Sequence, residues 1–463
     1  MRIPRIMIAA PGSGSGKTMI TCALLQAFAD AGEQAVSFKC GPDFIDPMFH
    51  KRVLGIPSKN LDPFFTGKEL TRALFSEDAN GKDIALIEGV MGLFDGLLGI
   101  REEASSYHLA EILDAPVILV INARGAGRSL LPLISGFLQY DTRGLIQGVL
   151  LNRISQSFYE LIKPEIEADL HIRVLGFIPE LKEIGIESRH LGLMLPSEIT
   201  DLQRKLQTLA QTVKNTVDLE LILRIAKEAG DWDLPDESDS LLLLNDAPGS
   251  RVPIGIAVDE AFCFYYEDNL RLLKRLGAEL VPFSPLKDHM LPKGLCGLLL
   301  GGGYPELYAG ELSGNVLMKQ MIAKAVSEEM PVIAECGGFL YLHKELQTAK
   351  GNTFLMAGAV KGSCRSLGRP VRFGYMELEE KKANFLGRGD RIKGHEFHYF
   401  DSTDNGQDCI AVKPVSGKRW ECVHESKNCW LGFPHLYYYS NPAYARYFME
   451  RAAGYGKTHT CFN

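Results

Sequence analysis

The sequence predicts two α/β domains in tandem. Three observations carry that prediction. Short apolar runs alternate with longer mixed segments through about residue 180. The same rhythm restarts near residue 252. In each half, one apolar run opens directly into a glycine-rich turn that carries reactive side chains. In the first half, run 6–10 leads into PGSGSGKT, Pro11 to Thr18. In the second, run 331–334 leads into ECGG, Glu335 to Gly338.

Composition is consistent with packed domains. The chain has 463 residues, more than one ordinary domain needs, and 46% of them are hydrophobic, too many for disorder. Acidic and basic residues are interspersed around a formal net charge of -7, which argues against a general nucleic-acid or membrane-surface binder. The N-terminal apolar run is short and enters the glycine loop, so it reads as a first strand and not as a secretory signal. The ten cysteines include no C-x-x-C pair. Cys422, His424 and Cys429 are metal-ligand types, but no second ligand pair at zinc spacing is evident, and the reading is scattered free thiols. A cytoplasmic location is expected, where thiols stay reduced.

In the first half, candidate strands are 6–10, 35–39, 84–87, 117–121, 148–151 and 174–177. Most are apolar throughout, as strands covered on both faces should be. Helical stretches such as 18–31 and 104–113 lie between them. This is the pattern of a doubly wound parallel sheet. Gly12, Gly14 and Gly16 permit a tight loop whose N–H groups turn toward phosphates. Lys17 is placed to reach the terminal phosphates, and the Thr18 hydroxyl to ligate Mg²⁺. The strict pattern G-x-x-x-x-G-K-[ST] wants glycine where this chain has Pro11, but the Gly16-Lys17-Thr18 core is intact.

Two acidic segments follow strands, where open α/β sheets bind ligands. GPDFIDP spans Gly41 to Pro47, and EGVMGLFDG spans Glu88 to Gly96. Asp43, Asp46, Glu88 and Asp95 are therefore candidates to converge beside the phosphates, with Asp46 and Glu88 as metal ligands. The plainer alternative is that each caps a helix or closes a turn.

The stretch 181–229 reads as helical. Residues 230–251, rich in Pro, Gly, Ser and Asp, read as a linker. The domains expected are 1–229 and 252–450, with 451–463 as a tail. In the second half, run 297–300 enters GGGYPE and run 332–334 enters ECGG, followed by the helix-like FLYLHKEL. A nucleophile on a sharp strand-to-helix turn needs small neighbours, which Gly337 and Gly338 supply behind Cys336. Gly302, Gly303 and Gly337 are candidates for an oxyanion hole. The base should be a distant histidine, and His435 in GFPHLYYYSNP is the best candidate. GHEFHY fails as H-E-x-x-H because position 399 is Tyr399, so His395 and His398 read as strand or domain-contact residues. Tyr437 to Tyr439 reads as an aromatic strand.

These segments resemble a known family. APGSGSGKT, KCGPDFIDP, EGVMGLFDG, LLLGGGYPE, AECGGFLYL and GHEFHY occur in the order found in the cobyrinate a,c-diamide synthase family. The resemblance implies a first domain similar to the P-loop NTPase-like dethiobiotin synthetase group, and a second that is a class I glutamine amidotransferase domain. It implies ATP and glutamine as co-substrates and Mg²⁺ as cofactor. It also implies acyl-phosphate activation of the c and a acetates of cobyrinate, with ammonia delivered from a γ-glutamyl thioester on Cys336. It places Phe44 and Ile45 beside the substrate acetate, with Asp43, Asp46 and Asp95 around it. The partner expected is a corrinoid or related tetrapyrrole, with neither nucleic acid nor membrane, and a homodimer left open.

Two features depart from ordinary class I amidotransferases. Ala334 stands where glycine is common. The usual H-x-E is His435-Leu436-Tyr437, which leaves a Cys–His dyad with no assigned orienting group. Two other activities share part of this pattern. A sister family amidates nickel sirohydrochlorin with nearly the same motifs. A partitioning-type ATP switch would instead carry an early loop lysine, and this chain has Gly12 there.

Overall fold

A computed structural model describes residues 2–181, 196–232 and 251–458. The chain divides into two compact units, Met1–Asp239 and Ser240–Asn463, and that division falls inside the stretch 230–251.

The first unit runs β1 (Arg5–Ala9), α1 (Lys17–Asp30), β2 (Ala35–Cys40), α2 (Ile45–Val53), β3 (Ser58–Leu61), α3 (Pro63–Ala79), β4 (Ile84–Glu88), α4 (Ser106–Leu113), β5 (Val117–Asn122), α5 (Leu130–Tyr140), β6 (Ile146–Asn152), α6 (Gln156–Leu170), β7 (Val174–Ile178), α7 (Pro196–Thr216) and α8 (Leu219–Glu228). Among the described residues, its strands form a seven-stranded parallel sheet in the order β3-β2-β4-β1-β5-β6-β7. The central strands are buried along their length because helices cover both faces. On one face Ile6, Ile8 and Ile118 pack with Leu24 and Phe28 of α1, Val213 of α7 and Ile222 of α8.

Strand β3 has no counterpart in the sequence reading. Its sequence, SKNL, is mostly polar. It survives burial because Lys59 pairs with Asp78 at 2.7 Å and the Asn60 amide donates to the Gly41 and Asp43 carbonyls. The packed part of this unit also reaches beyond residue 229. The Trp232 ring is buried between Phe75 and the guanidinium groups of Arg5 and Arg72, and its N–H donates to Ser76 Oγ at 2.7 Å. Of the stretch 181–229, residues 182–195 lie outside the described residues, as do 233–250 of the linker.

The second unit runs β8 (Val252–Ala257), α9 (Glu267–Arg275), β9 (Ala278–Phe283), β10 (Gly297–Leu300), α10 (Ala309–Gly314), α11 (Val316–Ser327), β11 (Val332–Glu335), α12 (Gly337–Leu342), β12 (His343–Gln347), β13 (Thr353–Leu355), β14 (Val360–Ser366), β15 (Arg372–Glu380), β16 (Arg391–His398), β17 (Phe400–Ser402), β18 (Cys409–Val412), β19 (Arg419–Cys422), β20 (His424–Glu425), β21 (Cys429–Gly432), β22 (His435–Leu436) and α13 (Ala443–Thr458). One sheet has the order β20-β21-β11-β10-β8-β9 and is parallel except at β20–β21. Two further sheets, β13-β12-β14-β17 and β19-β18-β15-β16-β22, are largely antiparallel.

Three local expectations change here. FLYLHKEL is helix only to Leu342 and then turns into β12. Tyr438–Ser440 forms a 3₁₀ turn, not a strand, because the Tyr437 hydroxyl and Tyr438 N–H are drawn to Asp268 and Asn269 of α9. Helix α13 continues past residue 450 to Thr458, with Ala452 and Tyr455 buried, so that part of the expected tail is packed. GHEFHY lies in and just after β16, as a paired strand. Among the described residues no helix is long and apolar enough to cross a membrane, and the described cysteines are free thiols.

Candidate active sites in the two units

In the first unit the glycine loop joins β1 to α1. Gly14 and Gly16 adopt φ of 77° and 94°, a region open to glycine. A side chain at Gly16 would also collide with the amide of Asn152, which donates to the Ser15 carbonyl at 2.8 Å. Lys17 folds back into its own loop, donating to the carbonyls of Gly12 (3.1 Å) and Met91 (2.5 Å). Those carbonyls hold the ammonium where anionic oxygens would compete for it. Burial and nearby Lys39 push Lys17 down to about 8.

Thr18 opens α1 and donates to Glu88 Oε1 at 2.6 Å. The same oxygen accepts from Lys39 Nζ at 2.9 Å, and Lys39 pairs with Asp46 Oδ2 at 2.6 Å. Strands β1, β2 and β4 thus bring Thr18, Lys39, Asp46 and Glu88 to one crevice at their carboxyl ends. Burial and the neighbouring Asp46 push Glu88 up to about 8 against the pull of Lys39. Glu88 Oε2 has no hydrogen-bond partner and lies 3.5 Å from His50 Nε2. Burial lowers His50 to about 4, so that ring is neutral at ordinary pH. Two carboxylates and a hydroxyl, one oxygen unsatisfied, form a hard-oxygen set of the kind Mg²⁺ takes beside phosphates.

The other candidates in this unit have local roles. Asp43 Oδ1 accepts from Ile45 N–H at 2.8 Å at the start of α2, and burial and Asp46 raise it to about 6. Asp95 Oδ2 accepts from Gly92 N–H at 2.9 Å, closing a turn, and its charge still acts on Lys17. Phe44 is buried, and Ile45 packs toward Phe49, Val53 and Leu206. Lys39 was missed in the sequence. Its signal was a single cation near the end of an otherwise apolar strand.

In the second unit β11 ends at Glu335, and Cys336 takes φ 47° and ψ -100° before α12 begins. A non-glycine residue there is strained by about 1–3 kcal/mol, a cost recurrent at exposed nucleophiles. The turn is possible because Gly338 has no Cβ, which would land on the Leu300 carbonyl oxygen, while its N–H donates to Gly301 O at 2.9 Å. Gly337 lies against Gly303, since a Cβ on Gly337 would sit 3.0 Å from Gly303 N. A Cβ on Gly302 would strike the His435 ring, so this glycine makes room for the histidine.

His435 hydrogen-bonds Cys336. Strand pairing sets it directly opposite His395, and the two rings stack at 5.0 Å with an 18° interplanar angle. His395 Nδ1 is tied to Tyr266 Oη at 2.9 Å. The carboxylate paired with His435 is Glu335, adjacent in sequence to Cys336, with Oε2 3.6 Å from His435 Nδ1. Burial works against charge on His435, yet the Cys336 sulfur and the Glu335 carboxylate lift it to about 10. Glu335 was not among the sequence candidates. Only its charge at the buried end of an apolar strand could have marked it.

With this geometry in view, the family comparisons are direct. Residues 6–193 match the CobQ/CobB/MinD/ParA nucleotide binding domain, and residues 253–442 match the CobB/CobQ-like glutamine amidotransferase domain. The cobyrinate a,c-diamide synthase of Caldanaerobacter subterraneus subsp. tengcongensis is 38% identical over 97% of this chain and 99% of its own length. That of Listeria innocua is 37% identical over 95% and 97% respectively. A Synechococcus relative of the same name is 40% identical over 85% of this chain and 86% of its own. The chain belongs to the cobyrinate a,c-diamide synthase family. It is a ligase with a nucleotide-binding unit and a glutamine amidotransferase unit, and its place is in cobalamin biosynthesis.

Proposed function

We propose that the chain converts the c and a acetates of cobyrinate to amides, using two ATP and two glutamine per macrocycle. The observation that carries this reading is the Cys336–His435 pair, assembled in a chain whose first unit keeps an intact phosphate loop. A carboxylate is a poor acyl donor because oxide would have to leave. Transfer of the γ-phosphoryl group makes an acyl phosphate, whose leaving group is phosphate.

In the first unit, Lys17 exchanges its loop carbonyls for phosphate oxygens. The N–H groups of the Gly12–Gly16 loop hold the remaining phosphates, and Asp43, Phe44, Ile45 and Asp95 border the acetate. Thr18, Asp46 and Glu88 would hold Mg²⁺, which when bound neutralises charge on the transferred group. Lys39, paired with Asp46 and Glu88, is the cation at this crevice that would meet an anionic ligand once those carboxylates hold the ion. In the second unit, the Cys336 sulfur attacks the glutamine amide carbon while the oxyanion meets the N–H groups around Gly302, Gly303 and Gly337. His435 gives its proton to the departing ammonia. A water deprotonated by His435 then releases glutamate from the thioester. Ammonia displaces phosphate from the activated acetate.

The macrocycle is tested by incubating the protein with ATP, Mg²⁺, glutamine and either cobyrinic acid or nickel sirohydrochlorin, and counting added amides by mass spectrometry. Two amides on cobyrinic acid and few on the nickel compound are expected. The reverse ranking would move the chain to the sister activity, and no amide on either would revive an ATP-gated switch.

A further inference from the structure

The second unit lacks the glutamate two residues after the catalytic histidine, yet a buried carboxylate reaches the same ring from elsewhere. We infer that Glu335, the residue immediately before the nucleophile, is the positioning residue for His435 and takes the third place of a Cys336–His435–Glu335 triad. The inference rests on the glutaminase reading above and extends it.

The geometry supplies the warrant. Backbone alternation along β11 and the abrupt turn at Cys336 send consecutive side chains to two sides of one imidazole. Glu335 Oε2 stands 3.6 Å from His435 Nδ1, within ion-pair distance of a protonated ring. Its other oxygen faces Leu436 N–H at 3.4 Å and the Tyr438 hydroxyl at 3.5 Å, both just beyond His435 in the chain. One carboxylate therefore touches the base and the segment that carries it. The residue is 8% exposed, so its charge acts with little screening. With Glu335 facing Nδ1 at ion-pair distance, the other ring nitrogen is left for the thiol, the division by which a triad carboxylate selects the useful tautomer.

The strand β22 holding His435 is only His435–Leu436. Such a short element is held by what surrounds it. Asn269 donates to the Leu436 carbonyl at 2.8 Å and accepts from Tyr438 N–H at 2.8 Å. The stacked His395 fixes one ring face. These contacts place the backbone and the plane of the ring, whereas Glu335 addresses its charge and tautomer. The titratable groups that bear on His435 are Cys336 on the elbow, Glu335 on β11, and His395, Glu396 and His398 on β16. Burial lowers His395 and His398 and raises Glu396 to about 7. Glu335 is thus the carboxylate closest to the base that is placed to stabilise its imidazolium.

The test compares Glu335→Gln, Glu335→Asp and Cys336→Ala in the full chain. Glutaminase and ammonia-dependent amidation are measured separately, with kcat and KM for glutamine across pH. Glu335→Gln should lower glutaminase kcat by about 100-fold with KM changed little, and leave ammonia-dependent amidation intact. It should also move the basic limb of the pH profile down, because an imidazolium without its carboxylate loses its proton earlier. Glu335→Asp should recover part of the rate and part of that shift. Unchanged glutaminase kcat and pH profile in Glu335→Gln, with Cys336→Ala inactive, would overturn this inference alone. Full glutaminase activity in Cys336→Ala would overturn the glutaminase reading itself. A Glu335→Gln variant that loses ammonia-dependent amidation as well has lost its fold, and Glu335→Asp then decides: a wild-type pH profile there counts against the inference.

Discussion

The two units place their chemistry in the same kind of location and prepare it in opposite ways. Each uses the carboxyl end of a central parallel strand followed by a glycine-rich turn. In the first, every charged group is spent on another charged or polar group of the protein. Lys17 is bound to carbonyls of its own loop, and Lys39 bridges Asp46 and Glu88. In the second, Cys336 sits on a strained turn and interacts with His435, whose ring is held against His395. A site that must admit a polyanion and a divalent cation is held by exchangeable ion pairs. A site proposed for covalent catalysis on a side-chain amide is held by rigid packing.

The largest effect that would break this contrast is expected at Lys17. Lys17→Ala should lower synthesis roughly 1000-fold with either glutamine or ammonia, while the glutaminase of the second unit persists. Equal rates in variant and wild type, measured as ADP release coupled to amide formation, would remove the phosphate loop from the account. Next comes the rigid side. Gly338→Ala forces a Cβ onto Leu300 O and should destabilise the elbow by about 3 kcal/mol, read as faster thermal loss of glutaminase than of ammonia-dependent synthesis. Loss of both at the same temperature would mean that the elbow is not a local device.

Much of this was legible in the sequence, for physical reasons specific to the residues. The apolar strands β1, β4, β5 and β11 stand out because burial on both faces leaves no polar alternation. Gly14, Gly16, Gly302, Gly303 and Gly338 stand out because positive φ or a close approach excludes other residues. What stayed hidden depends on partners distant in the chain. The polar strand β3 is paid for by Asp78 and by carbonyls of the loop after β2. The buried Lys39 matters only beside Asp46 and Glu88, and Glu335 only beside a histidine about a hundred positions away. The strands β13, β17, β19, β20 and β22 of the second unit, two to four residues each, are too brief for an alternation to be read.

A smaller effect sharpens the exchangeable side. Asp46→Asn removes the Lys39–Asp46 ion pair, leaving Lys39 with Glu88 and the Gly89 carbonyl, and takes one charged oxygen from the metal set. It should weaken Mg²⁺-dependent synthesis about 10- to 100-fold without unfolding the chain, as followed by circular dichroism and by Mg²⁺ titration of the rate. No change in the Mg²⁺ requirement would leave Asp46 as a structural partner of Lys39 only.

The smallest effect concerns stability away from both sites. Burial and a hydrogen-bonded contact with Glu380 push Glu425 up to about 9. The folded state therefore keeps a proton that the unfolded chain releases above about 4.5. Stability carried by that proton is present at low pH and is lost as pH rises toward 9. Glu425→Gln should flatten the decline in melting temperature between pH 5 and 9, and an unchanged slope would show that the pair does not set it.

The central claim is that Cys336 supplies nitrogen to a carboxylate that the other unit activates independently. The most direct measurement is the mass-spectrometric count of amides formed on cobyrinic acid by Cys336→Ala, once with glutamine and once with ammonium as the nitrogen source, both with ATP and Mg²⁺. The account predicts none with glutamine and two with ammonium. Amides formed from glutamine by this variant, or none from ammonium in a folded protein, would contradict it.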